Sequence, residues 1–142
     1  MSESLSKRDG IRLARRVAAE MMEHARKNPD EECCGLLAGL DGTITRAFQA
    51  GNAAERPAVA YEIAPKELFS LMREIRGAGL DLLGIYHAHP NGENAPSSRD
   101  VARAYYPEVA YFILSPQEGA VKPIRAFSVR DGLVRELEIE MT

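Results

Sequence analysis

No apolar run in this 142-residue chain approaches the roughly 20 residues a helix needs to cross a bilayer. The first residues, Met1-Ser2-Glu3-Ser4-Leu5-Ser6-Lys7-Arg8, lack the apolar stretch of a signal peptide. No membrane association is therefore expected, and the cytoplasm is the expected compartment. Basic runs are missing as well. The 18 Lys and Arg stand against 21 Asp and Glu, a formal net charge of -3, without a stripe suited to phosphates, which argues against nucleic acid as a partner. Cysteine is nearly absent: Cys33 and Cys34 are the only two, adjacent in what reads as a strand. Successive strand side chains point to opposite faces, so these two are poorly placed to bond to each other and suit a reducing compartment. There are no internal repeats and no low-complexity segment. The length fits one domain over residues 1–142, with the polar residues 1–9 expected to be flexible.

What is present alternates between helical and strand patterns. Ile11 and Leu13 read as a short edge strand. Val17, Ala18, Met21, Met22 and Ala25 then recur at spacings of three and four, which predicts an amphipathic helix from Ala14 to Lys27 that stops at Asn28-Pro29-Asp30. His24 falls on its polar side and is expected at the surface. The segment from Cys33 to Gly39 is apolar on both faces, as in a central strand, and Asp41-Gly42 turns it into a second strand from Thr43 to Phe48. A loop with Gly51, Asn52 and Pro57 leads to a short predicted strand from Val59 to Ile63, rich in β-branched and aromatic residues. Pro65 then opens a second helix with an apolar stripe of Leu68, Phe69, Leu71, Met72 and Ile75, ending near Gly77 and Gly79.

An apolar run of Leu80, Leu82, Leu83 and Ile85 ends in His87-Ala88-His89-Pro90, and a short helix beyond Asp100 ends by Pro107. Three further strands are expected, at Val109 to Leu114, Pro123 to Val129 and Leu133 to Ile139, with Asp131-Gly132 linking the last two. This order implies an α+β (αβα-like) fold, a mixed and mainly antiparallel sheet flanked by helices.

The chemistry concentrates after that apolar run. In a strand, His87 and His89 leave the same face, and Asp100 adds a carboxylate with Ser97 on the same side of any helical turn that begins there. Two imidazoles and one carboxylate are three protein ligands, the number with which catalytic zinc sites keep a fourth position for water. Ser97 and Asp100 also have capping-box spacing, and both readings can hold, because a helix N-terminus presents the two together. Glu31 and Glu32 by themselves read as solvated charges at a strand entrance. Cys34 reads as a small core residue beneath the site rather than a ligand.

His87-Ala88-His89-Pro90, with an interval of seven residues between His89 and the Ser97 of Pro96-Ser97-Ser98-Arg99-Asp100, resembles the signature of the JAMM, or MPN-plus, metalloproteases. Glu32-Cys33-Cys34-Gly35 is similar to the family's upstream Glu-x-Cys-Gly element. The resemblance covers most of the chain and implies a JAMM/cytidine-deaminase-like fold. It also implies Zn2+ held by His87, His89 and Asp100, with Glu32 as general base and Ser97 as a donor to the oxyanion or the water. Such an ion lowers the pKa of its bound water from near 16 toward roughly 7.

The family cleaves peptide or isopeptide bonds after the C-terminal Gly-Gly of ubiquitin or ubiquitin-like proteins. Only about eight residues separate Asp100 from the strand at Val109, too few for the insertion of chain-reading members. That implies a minimal enzyme acting on the tail of a ubiquitin-like or sulfur-carrier protein, releasing cysteine or a C-terminal extension. The alternatives are a zinc peptidase or amidohydrolase on another small conjugate, and a non-catalytic scaffold. A homodimer is left open.

Overall fold

The computed structural model describes residues 10–142, so the expectation for residues 1–9 lies outside the described residues. Among the described residues, seven strands and three helices follow one another as β1 (Gly10–Leu13), α1 (Arg15–Lys27), β2 (Cys34–Leu40), β3 (Thr43–Ala50), α2 (Pro65–Gly77), β4 (Asp81–Ala88), α3 (Ser98–Ala102), β5 (Ala110–Leu114), β6 (Ile124–Arg130) and β7 (Leu133–Met141). The fold is α+β, with a mixed sheet in the order β1-β3-β2-β4-β5-β6-β7. Both Asp-Gly pairs make two-residue hairpin turns. Asp41 and Gly42 have φ of 54° and 75°, and Asp131 and Gly132 have 52° and 78°, the left-handed pair that matches the twist of the flanking strands.

β2 and β4 lie at the centre, and their alternation separates two apolar layers. Leu36, Ile85 and Tyr111 stand in register on one face and pack with Ile75 and the half-buried Leu68, Leu71 and Met72 of α2. Leu37, Tyr86 and Phe112 point the other way, into a core with Val17, Met21 and Ala25 of α1. Two residues beyond Ile85 on the α2 face comes His87, flanked in register by Cys34 and Ile113. Among the described residues, no helix is long and apolar enough to cross a membrane.

Four local expectations are corrected. β1 is no edge strand: it runs parallel to β7 from Gly10 to Leu13 and also pairs Arg12 and Leu13 with Thr43 and Ile44 of β3, which closes the sheet on itself. Residues 59–63 form no strand, because the loop takes up their backbone groups. Ala53 N–H donates to the Glu62 carbonyl, and the Asn52 side chain bonds the Ala60 carbonyl and the Glu62 N–H. Phe69 turns outward and is 65% exposed, with Arg73 against its ring. His24 is half-buried, not a surface residue, since its Nδ1 lies 2.7 Å from the hydroxyl of fully buried Tyr86, and burial lowers its pKa.

Tyr86 also explains a glycine. A Cβ on Gly35 would lie 2.5 Å from both the Phe48 carbonyl oxygen and the edge of the Tyr86 ring. Gly35→Ala is therefore expected to destabilise the protein by about 1–3 kcal/mol, the usual range for overpacking, read as a lower Tm. An unchanged Tm would mean that the ring yields without cost.

Candidate metal centre

Sheet alternation brings His87 to the α2 face as the penultimate residue of β4. His89 lies one residue past the end of β4, but its N–H still bonds the Leu114 carbonyl at 2.9 Å, so the ladder continues and the ring returns to the same side. Glu32 precedes antiparallel β2 at this same end. Its backbone is held on both sides, by N–H donation to the Pro57 carbonyl at 2.7 Å and by donation from Asn52 Nδ2 to its own carbonyl at 2.9 Å.

Asp100 arrives on α3, whose start is fixed by a capping box. Asp100 N–H donates to Ser97 Oγ at 3.1 Å, and Ser97 N–H donates to Asp100 Oδ2 at 2.9 Å. The spacing of Ser97 and Asp100 thus serves helix capping while it aims the carboxylate at the histidines.

The four side chains meet. His87 Nε2 lies 3.1 Å from His89 Nε2, and the two oxygens of Asp100 lie 3.2 Å from His87 Nε2 and 3.1 Å from His89 Nε2. With a Glu32 oxygen included, all four donor atoms lie within 4.8 Å of one another. A tetrahedral ion with bonds of about 2.0–2.2 Å needs donors about 3.3–3.6 Å apart. The two nitrogens and the aspartyl oxygens are already near that separation, so the donor set fits a divalent metal. Glu31, half-buried, is not part of the group, and neither are Cys33 and Cys34, which are buried free thiols pushed up to about 12 by burial.

The second nitrogens decide what each imidazole can offer. His89 Nδ1 lies 2.7 Å from the Glu93 carbonyl and must donate to it, which leaves Nε2 with a lone pair for an ion. His87 Nδ1 is buried without a hydrogen-bond partner, and its ring is held instead by stacking on Tyr61, with centroids 4.3 Å apart.

Burial lowers the pKa of His87, more than Asp100 raises it. Burial acts the same way on His89, but the bonds to Asp100 and Glu93 prevail and raise it. Asp100 is held well below the usual carboxylate range: burial works against ionisation, but both imidazoles bond the carboxylate. Glu32 is pushed up to about 7 by burial, with His89 and Arg99 pulling it down and Asp100 adding to the rise. A buried carboxyl poised near neutrality can both take and return a proton.

Residues 14–130 match the family model described as prokaryotic homologs of the JAB domain. The chain belongs to that family. This JAB-domain chain is 39% identical over 112 residues to a desampylase of Haloferax volcanii, covering 75% of this chain and 81% of that one. It is 32% identical over 118 residues to the CysO-cysteine peptidase of Mycobacterium tuberculosis, covering 82% and 80%. Among solved structures, protein DSY2949 from Desulfitobacterium hafniense superposes with a TM-score of 0.83 at 30% identity, covering 93% of this chain and 92% of that chain.

Of the residues that shape the JAB-domain centre, Tyr61 and Asn94 carry no signal of it in the sequence, and Asn52 only a weak one. Asn52 ties the loop before α2 to Glu32 through four backbone partners besides the Glu32 carbonyl: Pro57, Ala60, Ala54 and Glu62. Asn94, buried between His89 and Asp100, donates to the Lys122 carbonyl at 2.6 Å and so anchors the loop that joins them. Tyr61 looked like an ordinary strand residue, and only the chain path shows that it covers His87. A polar Asn inside a glycine- and proline-bearing loop was the one available hint, because its side chain can replace a backbone ladder.

Proposed function

We propose that this chain is a zinc-dependent hydrolase that cuts the peptide or isopeptide bond after the C-terminal Gly-Gly of a ubiquitin-like or sulfur-carrier protein. The observation that carries this reading is the convergence of Glu32, His87, His89 and Asp100 on one point. The named activities of the desampylase and the CysO-cysteine peptidase support it. In this reading His87, His89 and Asp100 hold the ion, two neutral nitrogens and one anionic oxygen being a set that suits Zn2+. When bound, the ion supplies a Lewis acid for the scissile carbonyl and an acidified water.

The chain's own residues do the rest. Glu32 takes the proton of the attacking water and delivers it to the leaving amine. The water's hydroxyl ends on the glycyl carbon, its proton on the nitrogen, and the C–N bond is broken. Ser97 Oγ is already an acceptor for Asp100 N–H, so its own hydroxyl proton is available for the developing negative charge on the carbonyl oxygen. The reducing cytoplasm is the compartment that suits two buried free thiols.

The test is cleavage of a ubiquitin-like protein extended by a few residues beyond its Gly-Gly. The protein reconstituted with Zn2+ is expected to release the extension, a chelator to stop the reaction, and added Zn2+ to restore it. Turnover that survives complete metal removal would refute the mechanism.

A further inference from the structure

The three proposed ligands are not held alike. His89 is anchored through Nδ1 to the Glu93 carbonyl, and Asp100 through Oδ2 to the Ser97 N–H. His87 has no such anchor, since its buried Nδ1 lacks a hydrogen-bond partner among the described residues. A ligating histidine ordinarily donates that second N–H to a carboxylate, a carbonyl or water, which fixes the orientation of its ring. The strand alone cannot replace the bond, because rotation between Cβ and the imidazole is broad, with no sharp staggered well. Something else must set where Nε2 points.

The flat neighbour is Tyr61. Its ring lies 4.3 Å from the His87 ring between centroids and 19° from parallel, while His89 meets the same imidazole edge-on at 4.9 Å. Stacked rings keep their planes together, because tilting one away gives up contact across the whole face. Tyr61 is itself fixed from both sides by one side chain: Asn52 Nδ2 donates to the Ala60 carbonyl at 2.9 Å, and the Glu62 N–H donates to Asn52 Oδ1 at 3.1 Å. The same Nδ2 group reaches the Glu32 carbonyl at 2.9 Å. We propose that the ring face of Tyr61 is the positioning element for His87, standing in for the missing acceptor, and that Asn52 holds this ring and the Glu32 backbone in one fixed relation. The hydroxyl of Tyr61 has no part in it. This inference rests on the metal centre proposed above and names a residue that determines how tightly the ion is bound.

Zinc affinity is the readout, measured by competition with a coloured chelator at a temperature where every variant is folded, so that neither substrate nor turnover enters. Tyr61→Leu keeps an apolar side chain but removes the flat face. It is expected to bind Zn2+ about tenfold more weakly than the wild type, the lower end of the cost of losing a ligand's supporting partner. Tyr61→Phe keeps the face and should bind close to the wild-type value. In NMR spectra of the zinc-loaded protein, the carbon-bound ring protons of His87 should be shifted upfield by the stacked ring in the wild type and in Tyr61→Phe, and should lose that shift in Tyr61→Leu.

Wild-type affinity in Tyr61→Leu would overturn the proposal while leaving the metal centre intact. An equal loss in Tyr61→Phe would overturn it too, by giving the role to the hydroxyl. Should Tyr61→Leu not fold, the wild-type spectrum decides: His87 ring protons at unshifted positions would mean that the two rings are not stacked. A wild type that takes up no zinc would remove the metal centre along with the proposal.

Discussion

Asp100→Asn is expected to leave the purified protein with far less than one equivalent of zinc. The substitution keeps the side chain's shape and removes its charge. An asparagine oxygen can still accept from Ser97 N–H, and the bond from the residue 100 N–H to Ser97 Oγ is untouched, so the capping box and the start of α3 should survive. What is lost is the anion that two imidazoles now share, at 3.2 Å from His87 Nε2 and 3.1 Å from His89 Nε2. Loss of a group that merely supports a ligand costs roughly 10- to 100-fold in metal affinity, so loss of a direct ligand should cost at least that much.

Two measurements check the result. Metal analysis reports the stoichiometry, and thermal unfolding with and without added Zn2+ reports the linkage, because an ion that binds only the folded state raises Tm with its concentration. The wild type should gain Tm with zinc and Asp100→Asn should gain little. Full zinc content in the variant would remove Asp100 from the ligand set.

The parts of this site that could be read in advance are those fixed by local periodicity. Two residues apart on a strand means one face, and the apolar run before His87 set the strand, so the two imidazoles could be put together without coordinates. Asp100 could be placed through the capping spacing that brings it to a helix N-terminus beside Ser97. Glu32 could not be told from Glu31 by any local rule, since both precede a strand with no apolar alternation to set the register. Only the family resemblance chose between them, and in the fold the Glu32 carboxyl joins the cluster.

Long-range features behaved differently. Nothing in Gly10–Leu13 distinguishes a strand at an edge from one that joins β3 to β7, because that depends on where the chain's far end returns. Residues 59–63 have strand composition, yet the Asn52 side chain takes the backbone groups that a ladder would need. His24 looked polar and exposed on its helix, but its partner Tyr86 is 62 residues away in sequence. β-propensity and helix periodicity describe a surface that fits somewhere; they do not say against what.

Glu32→Gln is expected to retain zinc and lose turnover, by roughly 10²–10⁴ in kcat/KM, the usual contribution of a general acid–base, or about 2.7–5.5 kcal/mol of barrier. Glutamine has the same size and can still hydrogen-bond, but it cannot carry a proton from water to amine. The fold should tolerate it. Glu32 is buried at 8% exposure, burial works against its ionised form, and its backbone is secured by Pro57 and Asn52 independently of the side chain. Stability is thus expected to stay level or rise slightly, which separates a catalytic loss from a folding loss.

The neighbouring variant supplies the control: Glu31→Gln should keep both metal and activity, since Glu31 stands outside the cluster. Two results would redraw the site. An active Glu32→Gln beside a dead Glu31→Gln would move the base by one residue. A Glu32→Gln protein that cannot hold zinc would make Glu32 a ligand, filling the position that the reaction requires for water.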